Sequence, residues 1–299
     1  MQETPESQPR SNGISSPAFR LPDSTHVGCV HLQVSDLRLS LAYYEQVIGL
    51  RVLAEANDVA TLVARGDDRP LVTLHTVAGV TPARRGSYGL YHFAILLPDR
   101  SALGRFATHV ASLNLRIGMA DHLVSEALYL WDPDGLGIEV YADRPREMWQ
   151  RRDGELVMTT DPLDLDDVIA AGRSLKWDGL PPGTTVGHVH LHVGNLNDAE
   201  RFYSGGLGLD KTVWSYPGAL FLSAGGYHHH LGTNIWSPGP APSPHDARLL
   251  EWELVMPSVE DAMAVGRNIR SAGYVPEYAD SDLSVVDPWG TRVRIRMER

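Results

Sequence analysis

The glutamate at position 139 stands where a protein can hold a carboxylate for chemistry. The stretch 121–143 is typical of two short strands joined by the tight turn 132–135, Asp-Pro-Asp-Gly. Side chains alternate along a strand, so Glu139 projects from the face opposite to Ile138 and Val140. If those two pack on apolar neighbours, the carboxylate suits a metal site. This stretch alone leaves open a glutamate that simply faces solvent.

Histidine is the second residue type whose placement suggests chemistry. The chain has 13 histidines, and imidazole is both a common metal ligand and a proton acceptor near neutral pH. His188, His190 and His192 alternate along one candidate strand, His92 lies on another, and three more are consecutive at 228–230. Each histidine alone is compatible with ordinary core packing, so the elements that position them must decide.

Those elements occur in a repeated order. Residues 26–79 are typical of a strand, a helix and three further strands, and the same order recurs in 87–145, 185–237 and 248–299. Four pairs differ by the same 159 positions: Gly28 and Gly187, Leu37 and Leu196, Tyr44 and Tyr203, and Gly49 and Gly208. The sequence therefore predicts an internal duplication and an α+β fold of four βαβββ modules, numbered one to four in chain order. Two such modules side by side form a cup-like sheet that can hold a ligand.

Composition sets the broad class of the protein. A chain of 299 residues can hold two domains, predicted at 25–145 and 185–299, with a linker at 146–184 that contains a short helix. Residues 1–24, rich in Pro and Ser and without an apolar signal segment, are predicted to be a disordered tail. The net charge of -11 argues against binding to nucleic acid or to an anionic membrane. The absence of a membrane-length apolar run and the single Cys29 favour a cytoplasmic protein.

The second module carries a motif that points to a known superfamily. The motif runs through His122, Leu128-Tyr129, the turn 132–135 and Glu139. Together with the strands GHVHLHV and YHFAIL, it makes the chain from His26 onward resemble the vicinal oxygen chelate superfamily. Within that superfamily it looks like the type I extradiol dioxygenases, catechol 2,3-dioxygenases in particular. Ala120 departs from the pattern, which prefers Gly or another small set of residues two positions before the histidine.

The resemblance implies a metal site for Fe(II), with Mn(II) as the alternative. Its ligands are a histidine from the first strand of each of two modules and the glutamate after one module's turn. Modules one and two would supply Cys29, His92 and Glu139, and modules three and four would supply His188, Glu251 and Arg294. Neither set is complete, because one has a thiol in place of an imidazole and the other has a guanidinium in place of the carboxylate.

Only a crossed pairing of modules completes the ligand set. Module two with module three brings together His92, Glu139 and His188, and module one with module four then forms a cup without a metal. The pairing requires the side chains of His92 and His188 to lie within about 6 Å of each other, since both would bind one ion.

The resemblance also implies groups around the metal. It places an acid–base histidine at His229, in the last hairpin of module three. Strand alternation would send His229 to one face and His228 and His230 to the other. His122 and Tyr129 would form hydrogen bonds with the substrate. The tryptophans at 131, 236 and 289 are expected to pack in the protein rather than to contact substrate.

The implied reaction is extradiol cleavage, in which both atoms of O2 enter a catechol-type ring. The partners are then a small aromatic diol and O2, and the fold allows a homo-oligomer. One alternative is another metalloenzyme on the same fold, a hydroquinone dioxygenase or a glyoxalase-type isomerase. Glyoxalase-type sites usually carry a second carboxylate or a Gln, whereas residues 227–231 offer histidines. The other alternative is a metal-free protein that binds a small aromatic compound.

Overall fold

The structure, a computed structural model, describes residues 17–173, 176–237, 239–279 and 282–298. Residues 1–16, most of the predicted tail, lie outside the described residues. The described end of the predicted tail, residues 17–24, packs against module three. Leu21 is buried there, and its N–H donates to the Gly208 carbonyl at 3.0 Å. Packing therefore begins before residue 24, earlier than the polar composition of the segment predicts.

Modules one and two and the linker follow the predicted order. Module one consists of β1 (His26–Val34), α1 (Leu37–Tyr43), β2 (Arg51–Ala56), β3 (Val59–Val63) and β4 (Pro70–Thr76). Module two consists of β5 (Gly89–Leu96), α2 (Arg100–Ser112), β6 (Gly118–Asp121), β7 (Ser125–Trp131) and β8 (Gly137–Asp143). The linker contains a 3-10 turn (Arg146–Met148), β9 (Arg151–Arg152), β10 (Glu155–Leu156) and α3 (Leu165–Gly172).

Modules three and four repeat the order. Module three consists of β11 (Thr185–His192), α4 (Leu196–Ala199), β12 (Asp210–Val213), β13 (Ala219–Ser223) and β14 (Leu231–Asn234). Module four consists of β15 (Arg248–Met256), α5 (Val259–Ser271), β16 (Glu277–Ala279), β17 (Asp282–Val286) and β18 (Arg292–Met297). Both α1 and α4 continue into a π-helical segment, Tyr44–Ile48 and Glu200–Gly206. Within the described ranges, no helix has the length and apolar character needed to cross a membrane.

Modules from the two halves of the chain pair in two eight-stranded sheets. The 1–4 sheet has the order β16-β17-β18-β15-β1-β4-β3-β2, and the 2–3 sheet has the order β12-β13-β14-β11-β5-β8-β7-β6. Their seams are the antiparallel pairs β1–β15 and β11–β5. The predicted crossed pairing is therefore confirmed. The predicted boundary between two domains at 146–184 stays a prediction. Each sheet combines one module from before this linker with one module from after it.

Each module helix begins after a side chain that caps it. Asp36, Asp99, Asn195 and Ser258 precede α1, α2, α4 and α5, and each accepts a hydrogen bond from an N–H two or three residues later. These bonds satisfy N–H groups that the first turn of a helix leaves without a partner. Capping thus starts the helix of every module at the same place in the repeat.

Two buried tyrosine–aspartate hydrogen bonds connect the sheets. The hydroxyl of Tyr44, in module one, donates to Asp132 Oδ2 at 3.3 Å, in the turn between β7 and β8. The hydroxyl of Tyr203, in module three, donates to Asp287 Oδ2 at 2.7 Å, in the turn between β17 and β18. The turn that precedes Glu139 is therefore held by a helical segment of the opposite sheet.

The linker helix α3 crosses α2 at a contact made of two glycines. A Cβ on Gly104 would lie 2.2 Å from the carbonyl oxygen of Val168, and a Cβ on Gly172 would lie 2.4 Å from the backbone nitrogen of Arg105. Neither position has space for a side chain, so the two helices approach to backbone contact. This crossing attaches the linker to module two.

We expect Gly104→Ala to destabilise the protein. The added methyl group must push α3 away from α2, and overpacking of this kind costs about 1–3 kcal/mol, more than the helix propensity of Ala returns. The measurement is the free energy of unfolding in denaturant. Gly205→Ala is the matched control, because nothing lies within 4 Å of the position that its new Cβ would take. Equal stability of the two variants would contradict the close helix crossing.

Candidate metal centre

Three central strands of the 2–3 sheet position the predicted ligands. Ala94 on β5 pairs with His188 of β11 on one side and with Glu139 of β8 on the other. His92 precedes Ala94 by two residues on β5, so its side chain lies on the same face. Ile138 and Val140 point the other way into the core. The sheet register alone thus places the two imidazoles and the carboxylate side by side.

The three side chains converge in a buried cluster. Glu139 Oε2 lies 3.0 Å from His92 Nε2 and 3.1 Å from His188 Nε2. The two imidazole rings are 5.5 Å apart between centroids, within the limit that the sequence prediction set. The relative exposure of His92, Glu139 and His188 is 5%, 2% and 1%. Among the described residues, this is the one group of three or more His, Cys, Asp or Glu side chains with the spacing to share a metal ion.

The electrostatics suit a cation. Burial by itself raises the pKa of Glu139, but the imidazoles of His188 and His92 outweigh it and hold that pKa well below its usual range. Burial lowers the pKa of His188 to about 4. Near neutral pH the carboxylate is therefore ionised and His188 is neutral, which are the forms that bind a metal.

An unsatisfied imidazole nitrogen shows that the cluster fits a metal. His92 Nε2 is buried and, despite its short distance to the carboxylate, has no hydrogen-bond partner of good geometry among the described residues. A buried nitrogen without a partner is costly, and a metal ion would take its lone pair. Two histidines and one carboxylate on one face leave coordination positions free for other molecules, as in non-haem Fe(II) sites.

His229 lies beside this cluster, as predicted, but not on a strand. Its ring centroid is 4.0 Å from that of His188. The residues 224–230 form the connection between β13 and β14, so the strand alternation expected for this stretch is wrong. His229 is nevertheless separated from His228 and His230, as predicted. His229 lines the pocket, the ring of His230 forms a hydrogen bond with Ser223, and the ring of His228 forms one with Asp143.

A hydrogen-bond chain behind His229 sets its protonation. Asp143 Oδ1 accepts from His228 Nε2 at 2.9 Å, and the Nδ1 atoms of His228 and His229 lie 2.7 Å apart. In the neutral pair, His228 Nδ1 must then accept, and His229 Nδ1 must carry the proton. Burial, together with the neighbouring histidines, holds the pKa of His229 well below its usual value. His229 Nε2 is left as a base.

His122 and Tyr129 form a second polar pair at the pocket. His122 Nδ1 donates to the carbonyl oxygen of Thr159 at 2.6 Å, so its Nε2 accepts from the Tyr129 hydroxyl, also at 2.6 Å. Tyr129 lies opposite Glu139 in the β7–β8 register. Burial raises the pKa of Tyr129 well above its ordinary value, so the side chain remains a phenol whose proton lies in the bond to His122.

Several pocket residues were missed or misassigned from the sequence. His190 lines the pocket opposite His92, and its Nε2 lies 3.0 Å from Asn234 Nδ2. His190 is two residues from His188 on the same strand, so both side chains lie on one face of the sheet. This spacing was the sequence signal that could have identified His190. Trp131 and Trp236, expected to pack inside the protein, are instead half exposed and line the pocket. Trp289 does pack against the core.

The pocket has a volume of about 320 Å³, and its lining has a polar part and an apolar part. Its polar lining includes two members of the triad, His92 and Glu139, together with His122, Tyr129 and His229. Much of the rest is apolar, and this part includes Met119, Ile138, Phe221 and Met158, the last from the linker. No Lys or Arg is among the described residues that line it. The pocket therefore suits a small, uncharged aromatic molecule.

The corresponding positions of the 1–4 sheet hold no such ligand set. Arg294 Nη2 forms an ion pair with Glu251 Oε1 at 2.7 Å, so the two residues that replace metal ligands bind each other. Cys29 is buried, and burial raises the pKa of its thiol to about 12. A protonated thiol and a guanidinium do not bind a cation.

Sequence comparisons identify the family. A model of the Glyoxalase/Bleomycin resistance protein/Dioxygenase superfamily matches residues 25–140. A catechol-2,3-dioxygenase of Bacillus subtilis (strain 168) is 44% identical over 271 residues, which cover 89% of this chain and 95% of that protein. The chain belongs to this superfamily.

Solved structures of the superfamily share the fold. A protein of Bacillus subtilis subsp. subtilis str. 168, described as a candidate dioxygenase, superposes with a TM-score of 0.67 at 14% identity, over 93% of this chain and 86% of its own. Glyoxalase I from Zea mays superposes with a TM-score of 0.53 at 19% identity, over 91% of this chain and 92% of its own. At these identities the likeness concerns the fold alone.

We expect one divalent ion to bind per chain and Glu139→Gln to weaken that binding by more than about 100-fold, because a neutral amide replaces the only anionic ligand. Anaerobic titration with Fe(II), followed by metal analysis of the desalted protein, measures this. Glu251→Gln changes the equivalent of His92 in the 1–4 sheet and serves as the control. Loss of metal from both variants alike would contradict a site confined to the 2–3 sheet.

Proposed function

We propose that this protein is an extradiol ring-cleaving dioxygenase that inserts both atoms of O2 into a catechol-type substrate at an Fe(II) centre held by His92, Glu139 and His188. The observation that carries the proposal is the buried cluster of two imidazoles and one carboxylate, two members of which, His92 and Glu139, line a pocket of aromatic size. The name of the 44% identical relative, a catechol-2,3-dioxygenase, supports it.

The residues around the metal position have separate roles in the proposed reaction. His92, Glu139 and His188 would hold Fe(II), which when bound would supply the electronic coupling between the substrate and O2 that the protein side chains lack. His229 Nε2, kept unprotonated by its bond to His228, takes a proton from a catechol hydroxyl. The Tyr129 hydroxyl lies on the side of Glu139 that faces β7. His122 accepts the hydrogen bond from this hydroxyl and orients it, which leaves the phenol oxygen to accept a hydrogen bond from a substrate hydroxyl. The apolar wall orients the ring and keeps water away.

The alternatives have less support from the pocket. A glyoxalase-type isomerase usually needs a second carboxylate or a Gln, and among the described lining residues Glu139 is the one carboxylate. The same set of two histidines and one glutamate could also bind Mn(II) in place of Fe(II). It is likewise compatible with a hydroquinone as the substrate in place of a catechol. A cytoplasmic location and assembly into a homo-oligomer remain predictions.

We expect the Fe(II)-loaded protein to convert catechol in air to a yellow product that absorbs visible light. His229→Asn should lower kcat by about 100-fold or more, the usual share of a positioned acid–base group, with the metal content unchanged. His245→Asn is the control, because His245 is exposed and lies outside the pocket lining. A colourless reaction would refute the dioxygenase, and a wild-type kcat for His229→Asn would refute only the role of His229.

We expect 4-methylcatechol to have a kcat/KM at least about 30-fold above that of 3,4-dihydroxybenzoate. A carboxylate buried in this pocket has no cationic partner in the lining, and such burial costs about 2 kcal/mol or more. Met158→Arg should narrow the ratio by improving the acid, whereas Met148→Arg, on an exposed linker position, should leave it unchanged. An unaltered ratio in Met158→Arg would show that the linker does not contact the ring substituent.

A further inference from the structure

The 1–4 sheet contains a cavity at the position that the duplication relates to the catalytic pocket. His31 pairs with Glu251 across the β1–β15 seam, as His190 pairs with His92 across the β11–β5 seam. The cavity has a volume of about 420 Å³ and is lined in part by these two residues and by His75. The duplicated site has therefore lost its metal ligands but not its space.

An arginine stands at the position of the metal-binding carboxylate, and two more line the same cavity. Arg248, Arg292 and Arg294 line the cavity, against one carboxylate, Glu251. Arg294 pairs with Glu253 in the same register in which Glu139 pairs with Ala94, so a cation stands where the metal carboxylate stands in the 2–3 sheet. At this position the sign of the charge is inverted. A cation here repels a metal ion and can pair with an anion.

One of these arginines has no ion-pair partner in the described part of the chain. Arg248 has no ion pair among the described residues, and its Nε is buried without a hydrogen-bond acceptor. His31 Nε2 makes no hydrogen bond, but it lies 3.7 Å from Glu251 Oε1 and 3.6 Å from Glu253 Oε1, while its Nδ1 lies 3.2 Å from His75 Nε2. A buried guanidinium N–H that lacks an acceptor is costly. Arg248 therefore points to a ligand that can accept hydrogen bonds.

The remaining arginines are already oriented. Arg294 Nη2 bonds Glu251 at 2.7 Å, and Arg292 Nη1 bonds Glu277 at 2.6 Å and Ser284 at 2.7 Å. These contacts fix the two guanidinium groups and neutralise most of their charge. Arg294 Nη1 also lies 3.6 Å from Asp282 Oδ2, so Arg248 is the one arginine among the described lining residues that has no carboxylate partner. A single unpaired guanidinium group suits a monoanion better than a phosphate dianion.

We propose that the cavity of the 1–4 sheet binds a small organic carboxylate. Arg248 is its main partner, and Arg292 and Arg294 supply further N–H donors. Leu250 and Val286, which also line the cavity, contact the apolar body of the ligand. This site is separate from the metal centre and does not depend on the reaction proposed for it.

The test compares benzoate with its neutral isostere benzamide, and with inorganic phosphate, on the metal-loaded protein by isothermal titration calorimetry at constant ionic strength. We expect benzoate to bind at one site per chain, with benzamide and phosphate at least about tenfold weaker. Equal binding of benzoate and benzamide would overturn the proposal, and phosphate binding as tight as that of benzoate would overturn the assignment to a carboxylate.

Variants locate the site. Arg248→Gln should weaken benzoate at least about tenfold, the effect expected when a charged hydrogen-bond donor is lost. Arg38→Gln, at an exposed position of α1, should leave it unchanged. Benzoate bound at the metal centre would be insensitive to Arg248→Gln, and that result would refute the site. If Arg248→Gln does not fold, Arg248→Lys replaces it. Lysine lacks the planar guanidinium group that binds a carboxylate through two N–H donors. Weaker benzoate binding by this variant supports the proposal, and wild-type binding refutes it.

Discussion

The antiparallel seam between β11 and β5 is the contact on which the candidate metal centre depends. It places His188 beside Ala94, whose other neighbour in the sheet is Glu139. Backbone hydrogen bonds, rather than loop contacts, therefore bring together side chains from opposite halves of the chain. Gly187 allows the seam to close, because a Cβ there would lie 1.9 Å from the Tyr141 hydroxyl. A register shift of one residue would turn His188 to the other face of the sheet.

Around this rigid triad, the histidines are oriented by acceptors set behind them. Asp143 acts on His229 through His228, and the Thr159 carbonyl acts on His122 directly. In both cases the acceptor fixes which ring nitrogen carries the proton and leaves Nε2 to meet its partner at the pocket. The arrangement is complete before a substrate enters, which is what makes positioned groups effective.

The duplication and the crossed pairing could be predicted because they rest on periodic features. Glycines and tyrosines at a constant offset mark the modules, and the incompleteness of the Cys29 and Arg294 sets leaves one pairing that supplies three ligands. The features that were missed depend on local geometry. Residues 224–230 leave the strand, so alternation does not apply to His229. Trp131 and Trp236 are large apolar side chains, and the sequence does not show that they line a cavity.

The linker joins the two halves of the protein and also forms part of the pocket wall, through Met158, Thr159 and Thr160. Its helix α3 is fixed on α2 by the glycine crossing, so the length of chain between that anchor and the pocket is set. Insertions or deletions in this stretch would move the residues that face the aromatic ring while leaving the ligand strands untouched. Related chains can thus diverge in the compounds that they accept through changes in a connecting segment, with the metal chemistry preserved.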